Sequence, residues 1–160
     1  MLKPLEQWIC DSCGEVIDGA KQGYVERKKT EDDADLMYDF RIVHGAIYSP
    51  RHPHGNCLYS NSERGGDTAL DTCVGGTGVI VLTSWIDPGE WHEKKHSGPS
   101  VKSLREWTTL FRRLHVPYFE EAHRYTDELE DERASGANEI YLYLPETLQR
   151  IIEQHEENNS

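Results

Sequence analysis

The stretch Trp8-Ile9-Cys10-Asp11-Ser12-Cys13-Gly14 carries the densest chemistry in this 160-residue chain. Two cysteines at this spacing bring two sulfurs onto one ion from a tight turn, and thiolates are preferred donors in structural zinc sites. Gly14 accepts the positive φ that closes such a turn. The same spacing also serves thiol–disulfide exchange, which wants the pair at the start of a helix that follows a strand. Here Gly14-Glu15-Val16-Ile17 follows, a turn and a short apolar piece, so metal binding is the stronger reading.

A tetrahedral site needs two more ligands. The candidates are His44, His52, His54, Cys57 and Cys73. Cys57 closes the loop Ser49-Pro50-Arg51-His52-Pro53-His54-Gly55, whose prolines and glycine forbid regular structure and leave it in need of an anchor. His44 ends a predicted strand, from which its ring can face the cysteine turn. His52 and His54 lie in the loop and read as exposed polar residues. Cys73 stands near Leu70 and Val74, where a free cysteine behaves as a small buried hydrophobe.

Several other motifs lack a partner. Gly75-Gly76-Thr77-Gly78 has no phosphate-loop lysine and reads as a turn opening a buried element. His92 and His96 would share a helix face with Glu93 between them. Pro88-Gly89 and Gly98-Pro99 leave little room for that helix, so a second metal site there is disfavoured. No His-Glu-x-x-His occurs. His115 and His123 flank Pro117 and read as packing or capping residues.

The elements that must position these residues follow from periodicity. Residues 5–23 carry turn signals between short apolar pieces, the texture of small hairpins around a metal. Tyr24–Arg27 and Tyr38–His44 read as strands paired across the acidic turn Thr30–Asp35. Tyr38, Phe40 and Ile42 alternate with polar residues along the second strand. Ser60–Asp67 is polar and reads as mobile. Thr68–Val74 suggests a short helix. Val79–Ile86 is the most apolar run and belongs to the core, whether as helix or strand. An organisational break falls at 90–100. Val101, Leu104, Trp107, Phe111 and Leu114 then recur at helical spacing. A second helix is expected through Tyr118, Ala122, Tyr125 and Leu129, ending at Ser135-Gly136-Ala137-Asn138. Ile140–Leu144 reads as extended. Pro145 opens a last helix with Leu148, Ile151 and Ile152 inside, fraying from Glu156.

Composition narrows the function classes. Net charge is −12, from 29 acids and 17 bases, which argues against a duplex-binding face. The triplet Arg27-Lys28-Lys29 reads as a solvated hairpin or loop. The acidic balance suits a basic protein partner, mimicry of nucleic acid, or solubility alone. No run approaches the ~20 apolar residues of a membrane span. The first residues lack the apolar core of a signal peptide. The expected location is cytoplasmic, and disulfides among the four cysteines are not expected there.

Trp-x-Cys-Asp-x-Cys-Gly, Gly-Tyr-Val-Glu at 23–26, Phe-Arg-Ile-Val-His at 40–44, Ser-Pro-Arg at 49–51 and Cys-x-Tyr at 57–59 also occur together. In combination they resemble a group of small bacterial zinc-ribbon-like proteins. The resemblance extends to Arg113–Tyr118 between two helices. It implies a ligand set of Cys10, Cys13, His44 and Cys57, with Cys73 left to the core, and it implies a helix from Val79. Where the group reads Val-His-His, this chain has Val43-His44-Gly45. The group brings no known activity.

The expected architecture is α+β. A zinc-ribbon-like β subdomain covers 1–60, and a mainly helical part covers 61–160, packed with it as one domain. Three thiolates and a histidine saturate zinc, so the ion is expected to be structural and the protein non-enzymatic. Its expected role is recognition of a macromolecule, a protein rather than nucleic acid, with Trp91 or Tyr118 as candidate anchors. The alternatives are a nucleic-acid-binding zinc-ribbon regulator and a zinc- or thiol-dependent enzyme.

Overall fold

A computed structural model describes residues 1–32, 34–59, 65–90, 98–134 and 140–159. The architecture is α+β, with antiparallel hairpins first and helices after. Strands β1 (Trp8–Ile9) and β2 (Val16–Ile17) pair antiparallel around the cysteine turn. Gly14 sits at φ 80°, the conformation that favours glycine. Strands β3 (Gly23–Lys29) and β4 (Met37–His44) form the hairpin expected across the acidic turn.

That hairpin is not regular. The register shifts between Glu26 and Lys28, where β3 spends one residue and β4 spends two. Asp39, at φ 53°, lies in the bulge. Tyr38 therefore falls out of phase with Phe40 and Ile42, and the simple alternation expected for this strand ends at the bulge. Phe40 stacks on Trp85 at 5.6 Å, and the Arg27 guanidinium lies 4.9 Å from the Trp85 ring.

A third strand, β5 (Gly65–Ala69), pairs antiparallel with the other edge of β3, giving the order β4-β3-β5. This corrects the helix expected over Thr68–Val74 and the mobile reading of residues 65–67; residues 60–64 lie outside the described residues. The free edge of β3 offers a row of unpaired backbone groups, and Thr68 and Ala69 satisfy them. Only Leu70–Thr72 turns, as a single 3-10 turn.

Helix α1 (Gly75–Ser84) follows. Its apolar run is core on one side only: Leu82 is buried, while Ile80 is 69% exposed, which corrects the expectation of a wholly buried element. Gly78 lies in this helix directly over the Cys73 backbone, and a Cβ there would collide with the Cys73 carbonyl. Gly76 faces open space. Gly78→Ala is expected to destabilise by about 1–3 kcal/mol through overpacking. Gly76→Ala is expected to be neutral or stabilising by up to about 1 kcal/mol. Urea midpoints of the two variants check the pair, because propensity alone would move both in the same direction.

Helix α2 (Leu104–His115) is capped by Ser103, whose hydroxyl accepts from the Glu106 amide. Val101, expected on this helix, instead bridges Met37 in parallel and extends the sheet region. Leu104 is exposed, and the buried face is Leu110, Arg113 and Leu114. The single helix expected beyond Pro117 is two: α3 (Phe119–Ala122) and α4 (Thr126–Ala134). Arg124 and Tyr125 donate three residues back, to the Glu121 and Ala122 carbonyls, and this tightening ends α3. The expected stop at 135–138 lies outside the described residues.

Tyr141–Tyr143 forms a 3-10 turn rather than an extended piece. Pro145 opens α5 (Pro145–Asn158), which buries Leu148, Ile151 and Ile152 as expected. The helix runs on through Glu156 instead of fraying there. The Met1 amine meets the Glu156 carboxylate at 2.7 Å, and the Asn159 amide bonds the His155 carbonyl.

Two apolar clusters result. One gathers Trp8, Ile17, Val25, Ile42, Val43, Leu70, Leu82, Leu110 and Leu114 around Cys10, Cys57 and Cys73, drawing on residues from both sides of position 60. The other gathers Phe119, Ala122, Leu148, Ile151 and Ile152. Among the described residues, no helix is long and apolar enough to cross a membrane.

Candidate metal centre

Four side chains from three separate places converge at the edge of the first cluster. The Cys10–Gly14 turn is built by two backbone bonds: Gly14 N–H donates to the Cys10 carbonyl, and Cys10 N–H to the Glu15 carbonyl, both at 2.9 Å. This turn aims Cys10 and Cys13. The last residue of β4 supplies His44. The end of the proline-rich loop supplies Cys57. The ligand atoms of Cys10, Cys13, His44 and Cys57 all lie within 4.8 Å of one another.

The dimensions suit a tetrahedral ion. Zinc–sulfur bonds of about 2.3 Å and zinc–nitrogen bonds of about 2.0 Å imply donor–donor edges of about 3.5–3.8 Å. His44 Nδ1 lies 3.5 Å from Cys13 Sγ and 4.0 Å from Cys57 Sγ. The donor chemistry, three thiols and an imidazole, suits a thiophilic metal ion. Cys10, Cys57 and His44 are buried, and Cys13 is half-exposed.

The surrounding groups prepare the donors. His44 Nε2 lies 3.1 Å from the Val16 carbonyl. A carbonyl only accepts, so Nε2 carries the proton and Nδ1 keeps its lone pair for a metal. The Arg51 amide donates to Ser49 Oγ at 3.1 Å. Ser49 Oγ also lies 3.2 Å from Cys57 Sγ, a hydrogen bond in which the hydroxyl donates once the cysteine is a thiolate. Burial raises the Cys10 thiol, yet backbone hydrogen bonds from His44, Ser12 and Cys13 outweigh it and bring it down to about 7. Cys13 is pushed up to about 11, by burial first and then by its thiol neighbours Cys10 and Cys57.

Asp11, inside the turn, holds it from two sides. Its backbone N–H donates to the Ile42 carbonyl at 2.8 Å, and its carboxylate accepts from the Ile42 amide at 2.7 Å. From the helical side the Arg113 guanidinium donates to both Asp11 oxygens, at 2.7 and 3.0 Å. Sequence reasoning missed Asp11, Ser49 and Arg113. One signal was readable: Arg113 stands three residues after Leu110 and beside Leu114, a charge on an apolar face. The role of Ser49 had no signal, because its contact depends on how the loop folds back.

The remaining candidates fall outside the cluster. His52 and His54 are exposed. Cys73 is fully buried in the apolar core, and burial pushes its thiol up to about 11. His115 packs its ring 4.6 Å from Phe111, and His123 stacks on Phe119 at 5.2 Å. Tyr118 is half-buried against the second cluster. Trp91, His92, Glu93 and His96 lie outside the described residues.

Arg27-Lys28-Lys29 lies in the β3–β4 hairpin, half-buried rather than solvated, and its side chains are engaged. Arg27 donates to Thr68 Oγ1 at 2.9 Å, Lys28 pairs with Asp39 at 3.1 Å, and Lys29 with Asp35 at 2.6 Å. Arg41 pairs with the buried Glu26 at 2.9 Å and stacks 3.4 Å from the Tyr59 ring. Arg51 donates to the Ser12 hydroxyl and carbonyl.

Comparison with protein-family models, with curated proteins and with solved structures found no match to this chain.

Proposed function

We propose that this is a non-enzymatic zinc-binding protein of zinc-ribbon type, with Cys10, Cys13, His44 and Cys57 as ligands. The observation that carries the reading is the convergence of these four donor atoms within 4.8 Å. Three thiolates and one imidazole fill the four positions and leave none for substrate or water, which favours a structural ion over a catalytic one.

The protein then acts by recognising another macromolecule, and a protein suits the charge better than nucleic acid. The net charge of −12 repels a phosphate backbone. Arg27, Lys28, Lys29, Arg41 and Arg51, the residues a nucleic-acid reading needs, each have an intramolecular partner. The ribbon supplies a rigid frame, and the acidic helices suit a basic protein segment.

Metal analysis of the purified protein tests the reading. One equivalent of zinc per chain is expected in the wild type, and less than a fifth of that in Cys57→Ser. Full metal retention by the variant overturns the ligand set, and iron in place of zinc overturns the choice of ion. Pull-down from cell extract then separates the partner classes: nuclease-sensitive nucleic acid in the captured material would favour a ribbon regulator.

A further inference from the structure

The cysteine turn is tied to the helical half by a buried ionic cluster. The Arg113 side chain, 7% exposed, sits between two carboxylates. Beyond its two bonds to Asp11, its Nε donates to Glu120 Oε2 at 2.6 Å and a terminal nitrogen to Glu120 Oε1 at 3.0 Å. Glu120 in turn accepts from the Ile9 amide at 3.0 Å, one residue before the first cysteine. The Trp8 indole N–H donates to the Arg113 carbonyl at 3.3 Å. Arg124 adds a contact to Asp11 at 3.2 Å. The backbone from Trp8 to Asp11 thus rests on the corner where α2 passes into α3.

We infer that the metal site extends past its four donors: Arg113 and Glu120 position the Cys10–Cys13 turn, and metal loading in return orders the α2–α3 corner. The inference rests on the metal-binding reading above. Its physical basis is the position of Asp11. That residue lies between two proposed ligands, so the bonds that hold its backbone and carboxylate also restrain the turn that carries both sulfurs. Its carboxylate is fixed by a two-point bond to a side chain roughly a hundred residues away. A two-point guanidinium–carboxylate bond sets direction as well as distance. Groups that orient ligands in this way change metal affinity by about 10–100-fold when removed. Coupling between two sites is reciprocal: if an ordered corner favours metal binding, bound metal favours the ordered corner by the same factor. The metal state of the hairpin end is thereby transmitted to the packing of α2 against α3.

Zinc affinity, measured by competition with a chromophoric chelator, and amide hydrogen exchange with and without zinc test the inference. Asp11→Asn keeps the shape and the acceptor for Ile42 but loses the ionic bond to Arg113; Glu120→Gln does the same on the other side. Arg150→Gln removes an exposed ion pair to Glu132 in the α4–α5 region and serves as control. Asp11→Asn and Glu120→Gln are expected to weaken zinc binding about 10–100-fold, with Arg150→Gln at the wild-type value. In the wild type, zinc is expected to slow exchange across residues 113–122 as well as in the hairpins. Zinc-induced slowing confined to residues 8–17 and 42–59, or wild-type affinity in both carboxylate variants, overturns the inference and leaves the metal site standing. A wild type that binds no zinc overturns both. The exchange comparison on the wild type decides the matter even if a variant fails to fold.

Discussion

Removal of the metal by a strong chelator is expected to lower the thermal midpoint by about 10 °C, and re-addition of zinc to restore it. Free metal at a thousandfold over its dissociation constant stabilises the native state by about 4 kcal/mol. For a chain of this size each kcal/mol moves the midpoint by roughly 2–4 °C. The loss should be local first. Strands β1 and β2 have two residues each and do not stand without a further tie. The loop ahead of Cys57 contains two prolines and exposed histidines, and its buried anchors are Ser49 and Cys57. The β4-β3-β5 sheet keeps its apolar partners on α1 and α2, and its contribution survives. Hydrogen exchange should therefore rise in residues 8–17 and 46–59, and with them in residues 113–122 of the α2–α3 corner, at chelator concentrations that leave the sheet protected. Scanning calorimetry with chelator, and again with zinc restored, checks the effect. An unchanged midpoint would mean that the four side chains are held together by packing alone.

The cysteine turn was legible because its chemistry is local. Cys10, Cys13 and Gly14 define a spacing, and spacing survives in a sequence. The β3–β4 hairpin was legible for the same reason, since two apolar segments flanking an acidic turn, the second of them alternating, form a short-range pattern. His44 and Cys57 were ranked above His52 and His54 by position, a strand end and a loop in need of an anchor, and the resemblance then gave the complete set. Selection requires the loop path, which brings Cys57 inward and leaves the two histidines exposed.

The errors share a cause. Gly65, Gly66, Asp67 and Ala69 are weak strand formers by composition alone, and the edge of β3 recruits them. Asp39 breaks the alternation of β4 through a bulge whose extra residue has no sequence mark beyond one acid. The helix after Pro117 carries a continuous apolar stripe, yet it breaks after Ala122. Arg124 there reaches to Asp11 and Glu120, and Tyr125 stacks on His155 at 3.7 Å. In each case a tertiary partner overrode a local preference.

Arg113→Met is expected to cost about 3–5 kcal/mol of stability, a large share of the roughly 5–15 kcal/mol that holds a domain folded. The methionine fills much of the arginine's volume, so the cavity term is small. What remains is electrostatic. Glu120, with its side chain 7% exposed, loses its two-point cation and keeps the Ile9 amide and a 3.4 Å contact to the more exposed Arg124, while Asp11 at 19% keeps the Ile42 amide and that same Arg124. A buried carboxylate stripped of its buried cation is the costly state; the intact pair has little net worth over well-packed apolar groups. The double variant Arg113→Met/Glu120→Leu should accordingly be more stable than Arg113→Met alone, although it departs further from the native sequence. The two substitutions touch one cluster, so their energies should fail to add by about 1 kcal/mol or more. Urea unfolding in excess zinc measures the wild type, the two single variants and the double variant without a change in metal occupancy. A single variant that loses less than about 1 kcal/mol, or a double variant at the sum of its parts, would show that water reaches the cluster and screens it. In that event the corner between α2 and α3 would be held by Trp8, Leu110 and Leu114 rather than by charge.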